Sequence, residues 1–327
     1  MPDRRSSLAR RCGVFETPKN KEEALIKAEG DPECARSRES PSQDAGLIAE
    51  ARPNPACPAC GESGQAIGWG KAKSGLQRYR CRRCGRTFIP ASGGLVDQRK
   101  LPLRTMVKFL VNVLAGTSVS EASKAAKISM TTALYRMNKI FAALASWQDS
   151  IVLSGEVHVD GKRFTAAHSE IELKADGKRC RGLSRNQWGV AVALGPGKKA
   201  MAIAEGKGKS SSEKALGAFR SHIKPGSALI HGLDFSHKKL IAELSLIDQG
   251  EKAIYKRGEE TSLDPINAYR SNMEDFVRLH RGMDKHRLQN WTDLFAFKFG
   301  CPGNVLQKAE KLLDLLLKCK EIVGCRD

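Results

Sequence analysis

No apolar run in the 327 residues approaches the roughly 18 that a membrane-spanning helix needs, which argues against a helical membrane protein. The opening MPDRRSSLARRC is basic but has no apolar core behind it, so no secretory signal is expected. Aromatic residues are few, at 6%, yet the hydrophobic share of 41% with 28% charged residues is ordinary for globular chains and argues against wholesale disorder. Acidic residues are short: Asp+Glu number 36 against 55 Lys+Arg, leaving a formal charge of +19. That shortage is local. Residues 51–150 hold 16 Lys/Arg and 4 Asp/Glu, so +12 of the excess lies there, whereas residues 1–50, with 9 basic and 10 acidic residues, are close to balance. A basic segment attracts polyphosphate because each neutralised phosphate releases condensed counterions.

Residues 1–52 are rich in Glu, Ser, Pro and Lys without sustained period, and read as a flexible leader. Residues 53–92 form a Cys/Gly/Arg segment. CPAC (Cys57, Cys60) and CRRC (Cys81, Cys84) are separated by 20 residues, and each second Cys is followed by Gly. Two such turns close a tetrahedral set of four thiolates suited to structural Zn²⁺, and a segment this short needs the metal to fold. These residues are expected to form a zinc ribbon, with Arg78, Arg80, Arg82, Arg83 and Arg86 around the second turn as phosphate contacts. The other six cysteines show no pairing pattern and read as buried thiols.

Residues 101–150 read as helices. In the last of them Leu134, Met137, Phe141 and Leu144 recur at helical spacing. SVSEASKAAKISMTTALYRMNKI has the spacing of a helix-turn-helix, with a turn near Lys127–Ser129 and a second helix from about Thr131–Thr132. Thr131, Thr132, Arg136 and Lys139 are the expected DNA contacts, since a recognition helix carries small polar and basic residues into the major groove.

From residue 151 to 300 the period changes. EVHVDGKRFTA, QWGVAVALG and KAMAIAE read as antiparallel strands, followed by a helix opened by SSSE and the run SALIHGLD. Then come the helical FSHKKLIAELSLI, a short strand EKAIYKRGE, and a helix begun by Asp264-Pro265. This is the element order of a ribonuclease H-like mixed sheet, so the fold class is α+β or α/β. Residues 301–327 read as a C-terminal amphipathic helix whose leucines serve intrachain packing. Asp160 ends the first of these strands and Asp234 the fourth, while the late helix offers Asn267 and Glu274. Hard oxygen ligands from such positions suit Mg²⁺ or Mn²⁺ in phosphoryl transfer. His158, His231 and His237 flank these acids without an assigned role.

CPACGESG…LQRYRCRRCGRTF, EVHVDGKRF, ALIHGLDFSHKKL and INAYRSNMEDFVRLHRGMDKHRLQNWTDLFAF together resemble the prokaryotic insertion-sequence DDE transposases with an N-terminal zinc ribbon (the ISXO2-like group), over about residues 55–297. The resemblance implies cleavage of element ends and strand transfer into target DNA, on the nucleoid in the cytoplasm, by a homo-oligomer on DNA. Asp160, Asp234 and Asn267 would hold the metal, with Glu274 as the rival third ligand. Three positions depart from the family's pattern. Gly161 stands where an acid usually follows the first Asp, Phe235 where a Gly follows the second, and Glu274 where a Lys is usual. These departures favour the alternative, a non-catalytic DNA-binding protein that is an inactivated or repurposed transposase.

Overall fold

The computed structural model describes residues 55–72, 76–90, 92, 101, 103–165, 171–179, 186–251, 261–280 and 284–319. The expected leader, Cys12, Cys34, Cys180 and Cys325, and nearly all of the expected strand EKAIYKRGE lie outside the described residues.

Among the described residues three short antiparallel strands come first, β1 (Ala66–Lys71), β2 (Gln77–Cys81) and β3 (Thr87–Phe88). Three helices follow: α1 (Leu103–Ala115), α2 (Val119–Ala125) and α3 (Met130–Asp149). Ser118 opens α2 with a reciprocal capping box to Glu121, and Ser129 caps α3 through the Thr132 N–H. Between them Lys127 turns the chain at φ +53°. The expected turn is therefore present, with its second helix beginning at Met130.

The larger sheet contains β4 (Glu156–Thr165), β5 (Gln187–Leu194), β6 (Ala200–Lys207), β7 (Ala228–His231) and β8 (Ile247–Gly250), in the order β6-β5-β4-β7-β8. β4 runs antiparallel to β5 and parallel to β7, β5 and β6 are antiparallel, and β7 and β8 are parallel. This mixed sheet is consistent with a ribonuclease H-like architecture. Among the described residues five further α-helices follow in chain order: α4 (Ser212–Phe219), α5 (Lys238–Leu244), α6 (Asp264–Leu279), α7 (Leu288–Gly300) and α8 (Val305–Lys318).

Strand alternation assigns the two faces. Val157, Val159, Ala191, Ala193 and Met201 meet Ala218, Phe219, Leu240 and Leu244 of α4 and α5. Phe164, Val190, Val192 and Leu194 meet α6 and α7 on the other face, in a core that continues into α1, α3 and α8. β5 is apolar and buried from Gly189 to Leu194 because helices cover both its sides there. Helices α1, α3 and α8 thus share one hydrophobic core with the sheet. Phe141 packs edge-on to Trp291 at 5.2 Å, and Trp147 to Phe297 at 5.1 Å.

Two expectations change here. Leu134 belongs to no buried stripe, being 50% exposed, although Met137, Phe141 and Leu144 are buried. The helix expected through Ile247 stops at Leu244, where Ser245 takes a left-handed φ of +49°, and residues 247–250 become the edge strand β8.

Candidate functional site

At the four cysteines, two backbone turns repeat one geometry. The Gly61 N–H donates to the Cys57 carbonyl at 2.8 Å and the Gly85 N–H to the Cys81 carbonyl at 2.9 Å, with both glycines near φ +70°. A residue with a side chain is strained at that φ, so the Gly after each second Cys has a conformational reason. Sγ atoms of Cys57 and Cys84 lie 3.5 Å apart and those of Cys60 and Cys81 3.7 Å apart, all four within 4.8 Å of one another. Tetrahedral Zn–S bonds of about 2.3 Å require sulfur separations of about 3.8 Å, so the cluster fits Zn²⁺. Burial pushes the Cys57 thiol up, but the backbone N–H groups of Cys60 and Ala59 and the neighbouring thiols reverse this and bring it to about 6. At Cys60 a backbone bond at Glu62 lowers the thiol, but burial and the neighbouring thiols outweigh it and push it up to about 12 instead. The crowded thiols therefore share their protons until a cation takes them as thiolates.

Around the second turn Arg82 and Arg86 are exposed. Arg83 pairs with Glu62, Arg80 lies over the Trp69 ring at 4.8 Å, and Arg78 donates to Thr87 Oγ1 at 3.5 Å. On α3, Thr131 is exposed and Thr132 half-buried. Arg136 and Lys139, expected as DNA contacts, are only 5% and 4% exposed and reach over the Tyr135 ring. Both are removed from the outer face because α3 packs against α7 and α8 in the main core, and burial holds the Arg136 guanidinium below its ordinary pKa.

The acidic residues meet at one cleft. Asp160 is not a strand end but lies mid-way along β4, one residue past the last pairing with β7, at Val159–His231. Asp234 lies three residues beyond β7 and caps the turn Phe235–His237 by accepting from the Ser236 N–H at 2.9 Å. Both line a cleft with Glu205, Arg163, Lys162, Ser236, His237 and Arg270. Burial raises Asp234, but the Ser236 bonds, with His237 and Arg163 nearby, carry it below the ordinary carboxylate value.

Glu205 had no signal in residue order alone. It stands at a register shift between β5 and β6, where Gly189 pairs with Gly206 and Val190 with Ala204. A Cβ on Gly189 would come within 3.0 Å of Glu205 Oε2, so this glycine leaves space for the carboxylate. Burial raises Glu205, and Asp234 adds to this, while the Ser210 hydroxyl, Lys214 and Arg163 oppose it.

The late helix α6 comes to the same edge in a different way from that expected. Arg270 donates to Asp160 Oδ2 and, at 3.4 Å, to Asn267 Oδ1. Asp160 Oδ1 accepts from its own neighbour, the Gly161 N–H, at 2.6 Å. Glu274 pairs with Lys162 at 2.5 Å, and this lysine holds its carboxyl below the ordinary value. Among the described residues, the four cysteines are the one group bringing three or more His, Cys, Asp or Glu ligand atoms within 4.8 Å. Two of the carboxylates expected at the metal, Asp160 and Glu274, are thus paired with Arg270 and Lys162 and do not stand open to Mg²⁺ or Mn²⁺. Arg270 lies one helical turn from Asn267 and Glu274, and that spacing was the available signal for it.

His231 and His237 form a pair at the cleft, which His237 itself lines. His231 Nε2 is 2.9 Å from Asp248 Oδ1, and the His231 and His237 rings are 5.2 Å apart. Burial first, and then His231, lowers the His237 pKa, which favours a neutral ring.

No helix among the described residues is long and apolar enough to cross a membrane. No protein-family model matches the chain, and no curated protein matches it. Among solved structures the chain is similar to a pre-cleavage Mos1 transpososome, at 11% identity and a TM-score of 0.23, over 67% of this chain and 79% of that one.

Proposed function

We propose that this chain is a DNA-binding protein of the insertion-sequence transposase type. In this reading the four-cysteine module is a zinc ribbon, α2 and α3 form a helix-turn-helix, and the mixed sheet carries a former or present phosphoryl-transfer cleft. It acts on the nucleoid, as an oligomer on element ends and target DNA. The observation that supports it most is that Asp160 and Asp234, far apart in sequence, line one cleft at the end of the β4–β7 pairing. The +12 charge of residues 51–150 and the exposed Arg82 and Arg86 supply the electrostatic grip.

The binding-only form of this reading stands first, because Arg270 and Lys162 already neutralise Asp160 and Glu274. The strand-cleaving form stands second, favoured by the convergence of Asp160, Asp234 and Glu205 on one cleft.

A mobility-shift titration of the zinc-loaded full chain on labelled duplex DNA, repeated across salt concentrations, tests the reading. Affinity should fall steeply with salt, with a log–log slope of roughly −0.9 per phosphate neutralised. Replacing Arg82 and Arg86 by Ala should flatten that slope by about 2. A salt-independent or undetectable shift would remove DNA as the partner.

A further inference from the structure

The two ion pairs between β4 and α6 are matched in spacing. On the strand, Asp160 and Lys162 lie two residues apart on one face, about 6.8 Å along the chain. On the helix, Arg270 and Glu274 lie four residues apart, about 6 Å along the axis. The negative–positive order of the strand therefore meets a positive–negative order on the helix, and each charge finds its opposite: Asp160 with Arg270, Lys162 with Glu274. The buried stripe Ile266, Tyr269, Met273, Phe276 and Val277 seats α6 beside these pairs.

We infer that Arg270 is a resident cation. Its guanidinium fills the position between Asp160 and Asn267, and the chain thereby excludes a divalent ion from the cleft. This rests on the reading of the cleft given above as one of transposase type. A guanidinium suits this role because it stays protonated at any ordinary pH and donates in a plane to two oxygens at once, but it cannot act as a metal ligand. Arg270 Nη1 bonds two of the three side chains that the family resemblance assigns to a metal, at Asp160 Oδ2 and Asn267 Oδ1. The second pair, Lys162–Glu274, draws the helix against the strand at the register that keeps Arg270 in place. Neither side chain of the first pair is sealed off, at 31% and 30% exposure, so water and small ions reach the position. Exclusion is then a matter of charge and hydrogen bonding, which substitution can reverse.

The test is a Mn²⁺ titration of the zinc-loaded full chain, followed by calorimetry and by the loss of the free-ion resonance signal. Arg270→Gln removes the positive charge and should raise Mn²⁺ affinity by about tenfold or more over the wild type. Arg270→Lys, which keeps a cation there, should remain close to the wild type. Adding Asp160→Asn to Arg270→Gln should abolish the gain. Zinc content and thermal midpoint, measured on each variant, establish that the protein is folded. Equal Mn²⁺ affinity in the wild type and Arg270→Gln would overturn the inference, as would a gain that survives Asp160→Asn. Duplex binding by the same samples is read separately. Loss of DNA binding with a preserved Mn²⁺ pattern would overturn the transposase-type reading alone, and the reverse result would overturn the resident cation alone.

Discussion

Asp293 of α7 is 1% exposed and accepts at Oδ1 from the amides of both Gln148 and Gln289, each at 2.6 Å. The same glutamines bond the Ala202 carbonyl, so this one oxygen ties α3, α7 and β6 together. Burial raises its pKa to about 7, against the pull of Gln289. The folded state therefore holds a proton that the unfolded chain releases near 3.8, the ordinary value for this carboxyl. Stability from this group is complete below about pH 4 and is lost as pH rises through about 7. Asp293→Asn keeps an acceptor for both glutamines and should erase that decline. Urea midpoints at pH 5 and pH 8 should converge for the variant relative to the wild type. Arg136 supports a second residue-scale prediction. Its Nε is buried without an acceptor, and the side chain is away from the outer face, so Arg136→Met should leave duplex affinity within about twofold. A large loss of affinity would restore it as a DNA contact. Residue type alone could not distinguish Arg136 and Lys139 from Thr131. All lie on one helix with a basic-polar pattern, and only the packing of α3 on α7 separates them.

Elements were more legible than single side chains. The capped starts at Ser118, Ser129, Ser211 and Asn304 carry local signals, because a serine or asparagine hydrogen-bonds an N–H three residues on. The alternation in β4 and the apolar run of β5 were readable for the same reason: strand period and two-sided burial leave direct marks in sequence. β8 left none. Its four residues, IDQG, are exposed, and pairing with β7 rather than burial defines it. The cysteine module is the extreme case of legibility, since spacing and glycine placement specify both turns. It has a small core of Cys57, Cys81 and Phe88 with a few half-buried neighbours, so metal is expected to supply its folding free energy. Cys81→Ser should therefore reduce bound zinc from one equivalent per chain to well below one and expose β2 to amide exchange, while the helices keep their circular dichroism. Full zinc retention in the variant would mean that the cluster is not a four-thiolate site.

For the molecule as a whole, the two strand acids could be foreseen as neighbours from the order of elements, but their charge partners could not. Arg270 and Lys162 come to Asp160 and Glu274 from across a sheet–helix contact that joins residues more than a hundred positions apart. The paired charges of β4 and α6 are thus a property of the assembled fold, and the proposed DNA-binding reading turns on them. The direct measurement is a strand-cleavage assay on labelled duplex DNA flanking the gene, with the zinc-loaded full chain at saturating protein and with Mg²⁺ or Mn²⁺ present. The account predicts a shifted but uncut duplex for the wild type. Metal-dependent nicking that disappears in Asp160→Asn and in Asp234→Asn would contradict it.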